Sequence, residues 1–326
     1  MPDITMVEAV TQALAYELEH DPNVLVFGED VGKNGGVFRA TVGLQDRFGE
    51  NRVFDSPLAE SMIAGLAIGM SLQGLKPVAE FQFMGFIYPA MNQIISHAAR
   101  MRNRTRGRLH CPLVFRAPFG GGIRAPEHHS ESTEALFAHI PGLQVVIPSS
   151  PKRAYGLLLA AIRNPDPVIF LEPKRIYRLV KQPVPDDGEA LPLGTCFTLQ
   201  EGEDVTLVSW GACIHETLLA SNQLAEVGIS CEVIDLATIK PLDIDTILSS
   251  IEKTNRCVII HEGAKTCGVG AEISALIMEH AMADLAAPVQ RVTGYDIVMP
   301  YFQLEKHYLP SVARIKETVL SLMENL

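Results

Sequence analysis

The chain lacks the cysteine patterns of a disulfide framework or a zinc site. Its six cysteines (Cys111, Cys196, Cys213, Cys231, Cys257 and Cys267) form no C-x-x-C pair, and several sit inside apolar runs. They read as reduced core residues. A basic segment followed by an apolar one is missing from the amino terminus, which begins Met1-Pro2-Asp3-Ile4-Thr5, so no secretory leader is expected. No apolar stretch is long enough to span a bilayer: the longest, 62–72, is interrupted by Gly65 and Gly69. A soluble, cytoplasmic protein outside the membrane is expected. Positive charge is also scarce. Lys and Arg total 27 against 38 Asp and Glu, a formal charge of −11. That sign opposes a phosphate-backbone binder, so nucleic acid is excluded as the expected partner and a basic protein surface is compatible. No Gly-x-Ser-x-Gly elbow occurs, which argues against a hydrolase built on His129 and a nearby serine.

What is present is apolar content sufficient for two cores, 47% of 326 residues. Thr5-Met6-Val7-Glu8 has the capping-box pattern, and Val7, Val10, Leu14 and Leu18 continue at helical spacing. Short apolar runs of buried-strand type follow at 24–27, 77–83, 113–116, 143–148 and 168–171, with helices expected between them, including 88–104 and one from Pro151. Alternation of this kind predicts a parallel-sheet α/β domain. The proline-punctuated segment 181–193 marks a boundary, and strands at 205–210, 231–234 and 257–260 build a second α/β unit. The expected organisation is residues 1–180, a linker at 181–193, and 194–326.

The stretch Asp55-Ser56-Pro57-Leu58-Ala59-Glu60 and its apolar continuation to Gly74 is central. Asp55 or Ser56 as cap and Pro57 in the first turn predict a helix of about four to five turns, apolar almost all round, with Gly65 and Gly69 open to a close neighbour. Glu60 then lies in its first turn. It is either an acid favoured by the helix dipole or a carboxylate carried into a dry site. The first strand delivers Gly28-Glu29-Asp30 to its carboxyl end, where open α/β sheets bind ligands. Gly120-Gly121-Gly122 permits close backbone approach to a ligand, and Glu127-His128-His129-Ser130-Glu131-Ser132 is rich in titratable groups without metal-ligand spacing. Arg100, Arg102, Arg104, Arg106 and Arg108 read as a solvated basic face near a helix end. Gly268-Val269-Gly270 lacks the third glycine of a dinucleotide fingerprint and reads as a tight turn.

In order along the chain, Gly28-Glu29-Asp30-Val31, Gly35-Gly36-Val37-Phe38-Arg39, Asp55 to Glu60, Gln82-Phe83, His129-Ser130, Pro141-Gly142-Leu143, Glu172-Pro173-Lys174, Tyr177-Arg178 and Val233-Ile234-Asp235-Leu236 make a composite pattern. With these blocks, nearly end to end, the chain resembles the β subunits of the decarboxylating component of 2-oxo acid dehydrogenase complexes, the pyruvate and branched-chain family related to transketolase. The resemblance implies a transketolase-like pyrimidine-binding domain followed by a transketolase C-terminal-like assembly domain, and thiamine diphosphate as cofactor. Glu60 matches the cofactor-activating glutamate, whose carboxyl bonds the aminopyrimidine ring nitrogen and favours the tautomer that deprotonates the thiazolium carbon. Leu58, Gln82 and Phe86 match positions lining the pyrimidine pocket, and Glu29 matches an acid near the active centre. His129 matches a histidine serving substrate binding and acyl transfer to a lipoyl group.

The Gly-Asp-Gly motif that holds magnesium and diphosphate in such proteins is absent here. The resemblance therefore implies an α subunit carrying Mg2+, in an α₂β₂ heterotetramer, and docking to the lipoyl acyltransferase core. It also implies a potassium site at the main-chain carbonyls of Leu113, Ala161, Asn164 and Asp166. The implied reaction is oxidative decarboxylation of pyruvate, or of branched-chain 2-oxo acids, with reductive acylation of the lipoyl group. A noncatalytic assembly module of a multienzyme complex is the alternative; it does not need Glu60, Phe86 and His129 to converge.

Overall fold

The computed structural model describes residues 3–324; Met1 and Pro2, on which the reading of the amino terminus begins, lie outside the described residues, as do residues 325 and 326. Fourteen strands are present among the described residues: β1 Asp3–Thr5, β2 Val24–Gly28, β3 Val53–Asp55, β4 Lys76–Glu80, β5 Val114–Phe119, β6 Gln144–Val146, β7 Val168–Pro173, β8 Lys181–Pro183, β9 Phe197–Gln200, β10 Val205–Ser209, β11 Cys231–Asp235, β12 Thr238–Lys240, β13 Cys257–Ile260 and β14 Gln290–Val292. The larger sheet has the order β12-β6-β7-β5-β4-β2-β3 and the smaller β14-β13-β10-β11-β9. Apart from β12 on β6 and β9 on β11, all pairs in these two sheets are parallel. The fold is the expected pair of α/β units with mostly parallel sheets. Every residue of β2, β5, β7, β10, β11 and β13 is buried, as continuous apolar runs demand when helices cover both faces of a sheet.

The first helix, Met6–His20, is closed by the capping box that its sequence predicts: Thr5 and Glu8 satisfy each other's backbone amides. Pro151–Arg163 starts with Ser150 as cap and proline in the first turn. These two helices pack on one face of the larger sheet, burying Val10, Leu14, Leu157 and Leu158.

Three local expectations change. The helix after β3 spans Glu60–Ser71 rather than starting at Pro57, and its cap residue Ala59 gives no side-chain bond. Asp55 is occupied elsewhere, since its carboxylate accepts the amides of Gly32 at 2.7 Å and Lys33 at 3.3 Å. The segment 88–104 is not one helix: it passes from a 3₁₀ turn at Tyr88–Ala90 through Met91–Gln93 and a π-turn at Ile94–Ala98 to Met101–Arg104. The segment 181–193 contains β8, which pairs antiparallel with β1, and Val184 is buried against the first unit.

The two units interlock. β12 belongs by sequence to the second unit but extends the first sheet through β6. Asp235, at the end of β11, is fully buried and takes hydrogen bonds or ion pairs from Ser149 and, at 3.0 Å, Arg153. Burial raises its pKa to about 6 against the pull of these partners. Five of the six cysteines are buried as expected; Cys267 is exposed, in a left-handed turn just before the helix Val269–Ala281.

Candidate active site

The carboxyl ends of β2, β3, β4 and β5 lie side by side, because Gly28 pairs with both Asp55 and Glu80, and Glu80 with Arg116. Residues immediately after these ends form the site. Glu29 follows β2, Ser56 follows β3, Gln82 lies two residues beyond β4, and the loop carrying His129 follows β5. This is the edge at which open parallel sheets bind ligands.

Glu29 is 4% exposed, and its Oε1 has no hydrogen-bond partner. Its pKa is raised to about 7, first by burial, then by the charges of Glu60 and Asp30. Glu60 is the first residue of its helix and half-buried, so the peptide dipoles at that end favour its negative charge. The helix start is fixed against the 88–90 turn by Ser61 Oγ, which donates to the Pro89 carbonyl at 2.6 Å. Ser56 donates its amide to the Gly28 carbonyl at 2.8 Å, while its hydroxyl is buried without a partner.

Asp30 has a left-handed backbone, φ +57°, and accepts Gln82 Nε2 at 2.9 Å, which orients the amide of Gln82. Phe83, Phe86 and His129 form an aromatic corner. Phe83 and Phe86 stand 5.5 Å from each other, and His129 is 4.5 Å from Phe83 and 5.1 Å from Phe86, all edge-on. His129 Nδ1 is buried and unpartnered. A side chain at Gly85 would collide with the His128 carbonyl, so this approach of the two loops requires glycine.

Leu58 is 78% exposed, and Met62 and Leu66 on the same helix are 40% and 37% exposed. The expectation of a helix buried on all sides is therefore not met within this chain. A Cβ at Gly69 would touch nothing, and one at Gly65 only the end of Gln93.

The four residues of the implied potassium site gather at the opposite, amino edge of the sheet. The carbonyl of Leu113 accepts Val168 N at 3.0 Å, that of Ala161 accepts Asn164 N at 3.3 Å, and Asn164 Oδ1 accepts Asp166 N at 2.9 Å. Asp166 pairs with Arg102 at 2.7 Å, and the remaining arginines of that run are exposed. Among the described residues, no group of three or more His, Cys, Asp or Glu side chains is placed to hold a metal ion. No described helix is long and apolar enough to cross a membrane.

Sequence reasoning missed Ser56 as an orphaned hydroxyl, having assigned it to a cap. It also missed Glu262 and Glu305, two buried acids of the second unit that bind the glycine loop after β5. Nothing in the sequence around either acid marked this contact.

Residues 2–180 match the transketolase pyrimidine-binding domain, and 194–315 match the transketolase C-terminal domain. The chain is 50% identical to the pyruvate dehydrogenase E1 component subunit beta of Bacillus subtilis (strain 168), over 99% of this chain and 100% of that one. It is 50% identical to the corresponding subunit of Acholeplasma laidlawii, over 97% of this chain and 96% of the relative. To the 2-oxoisovalerate dehydrogenase subunit beta of Bacillus subtilis (strain 168) it is 45% identical, over 99% and 100%. A solved split-gene transketolase, an inactive β4 tetramer, shares the fold, with a TM-score of 0.82 at 23% identity and 99% coverage of both chains. The buried acids at the sheet edge, the two domain matches and the full-length likeness agree, and the chain belongs to the transketolase-like, thiamine-diphosphate-dependent family of 2-oxo acid dehydrogenase β subunits.

Proposed function

We propose that this chain supplies the aminopyrimidine half of a thiamine diphosphate site and acts only with an α subunit, in an α₂β₂ tetramer. The assembled enzyme carries out oxidative decarboxylation of a 2-oxo acid and reductive acylation of a lipoyl group on an acyltransferase core. Pyruvate is placed ahead of branched-chain acids, since the most similar relatives cited bear that name. The observation that carries this reading is the set of orphaned buried polar atoms at one sheet edge, Glu29 Oε1, Ser56 Oγ and His129 Nδ1. Buried polar groups without partners cost stability, and a polar ligand seated there would relieve that cost.

In this reading Glu60 holds a proton at its carboxyl, facing the ring nitrogen of the pyrimidine. Glu29 keeps a second, readily protonated carboxyl beside it. Phe86 and Leu58 exclude water from the pyrimidine, and Gln82, oriented by Asp30, gives it a polar neighbour. His129 binds the substrate carboxylate and serves the acyl transfer. When bound, the cofactor supplies the electron sink for decarboxylation. Because the chain has no Gly-Asp-Gly motif, Mg2+ and the diphosphate fall to the α subunit. Potassium is assigned to the carbonyls of Leu113, Ala161, Asn164 and Asp166. A cytoplasmic location is part of the same reading.

The test is reconstitution with the α subunit. Glu60→Gln should lower turnover by about a hundredfold or more while the tetramer still assembles. Near-wild-type turnover and cofactor affinity in that variant would remove Glu60 from the mechanism. An assembly module has no need of the corner in which Phe86 and His129 meet at 5.1 Å. A hydrolase is disfavoured too, since Ser130 Oγ donates to the carbonyls of Ala125 and Pro126, at 3.4 and 3.2 Å, rather than to His129.

A further inference from the structure

The loop 120–132 that carries His129 is held from outside its own domain. Gly120 N donates to the Glu131 carbonyl at 2.9 Å, which closes the loop on itself. Its roots are then gripped by two acids of the second unit, each 5% exposed. Glu262, two residues beyond β13, spans both roots: its Oε1 accepts the amide of Gly121 and, at 3.0 Å, the hydroxyl of Ser132. Glu305, in the helix Phe302–Tyr308, accepts Gly122 N at 2.7 Å and Arg124 N at 3.2 Å. Lys174, just after β7, donates to the Gly120 carbonyl from a buried position. The second unit packs closely on these glycines: a Cβ at Gly121 would lie 2.5 Å from Met299 Cε and one at Gly120 2.8 Å from Glu262 Oε1.

Carboxylates accepting backbone amides make charge-assisted bonds, stronger than neutral ones. Four such or related contacts on a thirteen-residue loop, two of them reaching across more than 180 positions of sequence, are more than the loop needs merely to be covered. They fix the loop at the points from which the 3₁₀ turn Glu127–His129 projects onto Phe83 and Phe86. We propose that Glu262 and Glu305 are positioning residues for His129, so that the second unit sets the geometry of the step His129 serves as well as joining subunits. This rests on the role given to His129 above. Neither acid touches the substrate; both act through the loop.

The experiment is a double-mutant cycle in the reconstituted tetramer, with hydrogen exchange of segment 121–124 followed on the same samples. Glu305→Ala should lower acyl transfer to the lipoyl group by about ten- to a hundredfold, as a displacement of about 1 Å does elsewhere. It should speed exchange at 121–124, and Glu305→Gln, which keeps an accepting oxygen, should restore most of the transfer. In a His129→Ala background Glu305→Ala should cost nothing further, because the group it positions is gone. Should Glu305→Ala prevent folding, Glu262→Ala and Ser132→Ala carry the same comparison. Effects that multiply in the His129→Ala background, or acyl transfer within about twofold of wild type in Glu305→Ala, would overturn the proposal. Full activity in His129→Ala alone would instead remove the role assigned to His129, a separate failure.

Discussion

Replacing Glu29 with glutamine should stabilise the isolated chain above neutral pH and leave it little changed in acid. The carboxyl is raised to about 7 from an ordinary 4.5, chiefly by burial and secondarily by Glu60 and Asp30. Its folded state therefore holds a proton more tightly than the unfolded chain does. Between pH 4.5 and 7 the unfolded state releases that proton first, so stability falls as pH rises through this window and levels off above it. The full shift corresponds to about 3 kcal/mol at about 1.36 kcal/mol per unit. Solvent at the mouth of an open half-site screens part of this, which reduces the expected cost to about 1–2 kcal/mol. Urea unfolding of wild type and Glu29→Gln at pH 5, 6, 7 and 8 measures it: the two curves should separate progressively and stay parallel beyond about pH 8. Glu60→Gln should narrow the same gap without closing it, because burial, the larger cause, remains. A difference independent of pH, or a wild type that gains on the variant as pH rises, would refute the assignment of a raised pKa to Glu29.

Arg116 is 1% exposed and bridges Glu80 at 2.8 Å and Glu172 at 2.6 Å, so Arg116→Met strands two carboxylates in the core and should cost about 3–5 kcal/mol in chemical denaturation. Thr5→Ala removes one half of the capping box and should cost about 1 kcal/mol in the same assay, without effect on turnover in the tetramer. A maleimide added to the native chain should label Cys267 rapidly and the five buried thiols only on unfolding, read by mass spectrometry of tryptic peptides.

The elements most plainly written in the sequence were those whose signals are local. A capping box at Thr5 and Glu8, a serine and proline ahead of the 151–163 helix, and fully apolar strands each set their own structure. Where a residue had two possible partners, the sequence could not choose. Asp55 is a good helix cap, but two amides of the 32–33 turn reach its carboxylate, and the helix begins later, at Glu60, without a cap. The 88–104 segment has helical composition, yet it passes through 3₁₀, α and π turns, the widened one at Ile94–Ala98, a change of hydrogen bonding that apolar periodicity does not carry. For the site, Glu29, Glu60, Gln82 and Phe86 were named from the family resemblance, while the raised pKa of Glu29 comes first from burial and then from Glu60, far away in sequence and near in space. The grip of Glu262 and Glu305 on the loop 120–132 joins positions more than a hundred residues apart and leaves no trace in either segment.

The helix Glu60–Ser71 shows most clearly what one chain leaves open. Its inner side, Ile63, Ala64, Ala67 and Ile68, is buried, while Leu58, Met62 and Leu66 stand in solvent next to a carboxyl that is carried at the helix start. Exposed apolar side chains cost little singly, but an apolar ridge beside a half-buried acid at a sheet edge is poorly suited to water. Such a ridge calls for a dry cover, and the acid at the helix start for a polar partner. In the proposed reading a second subunit and a cofactor meet those two demands separately. A ring nitrogen against Glu60 without the cover would leave that contact exposed to competing water. In the proposed reading the half-site is weak alone, and cofactor affinity should rise together with subunit association rather than before it.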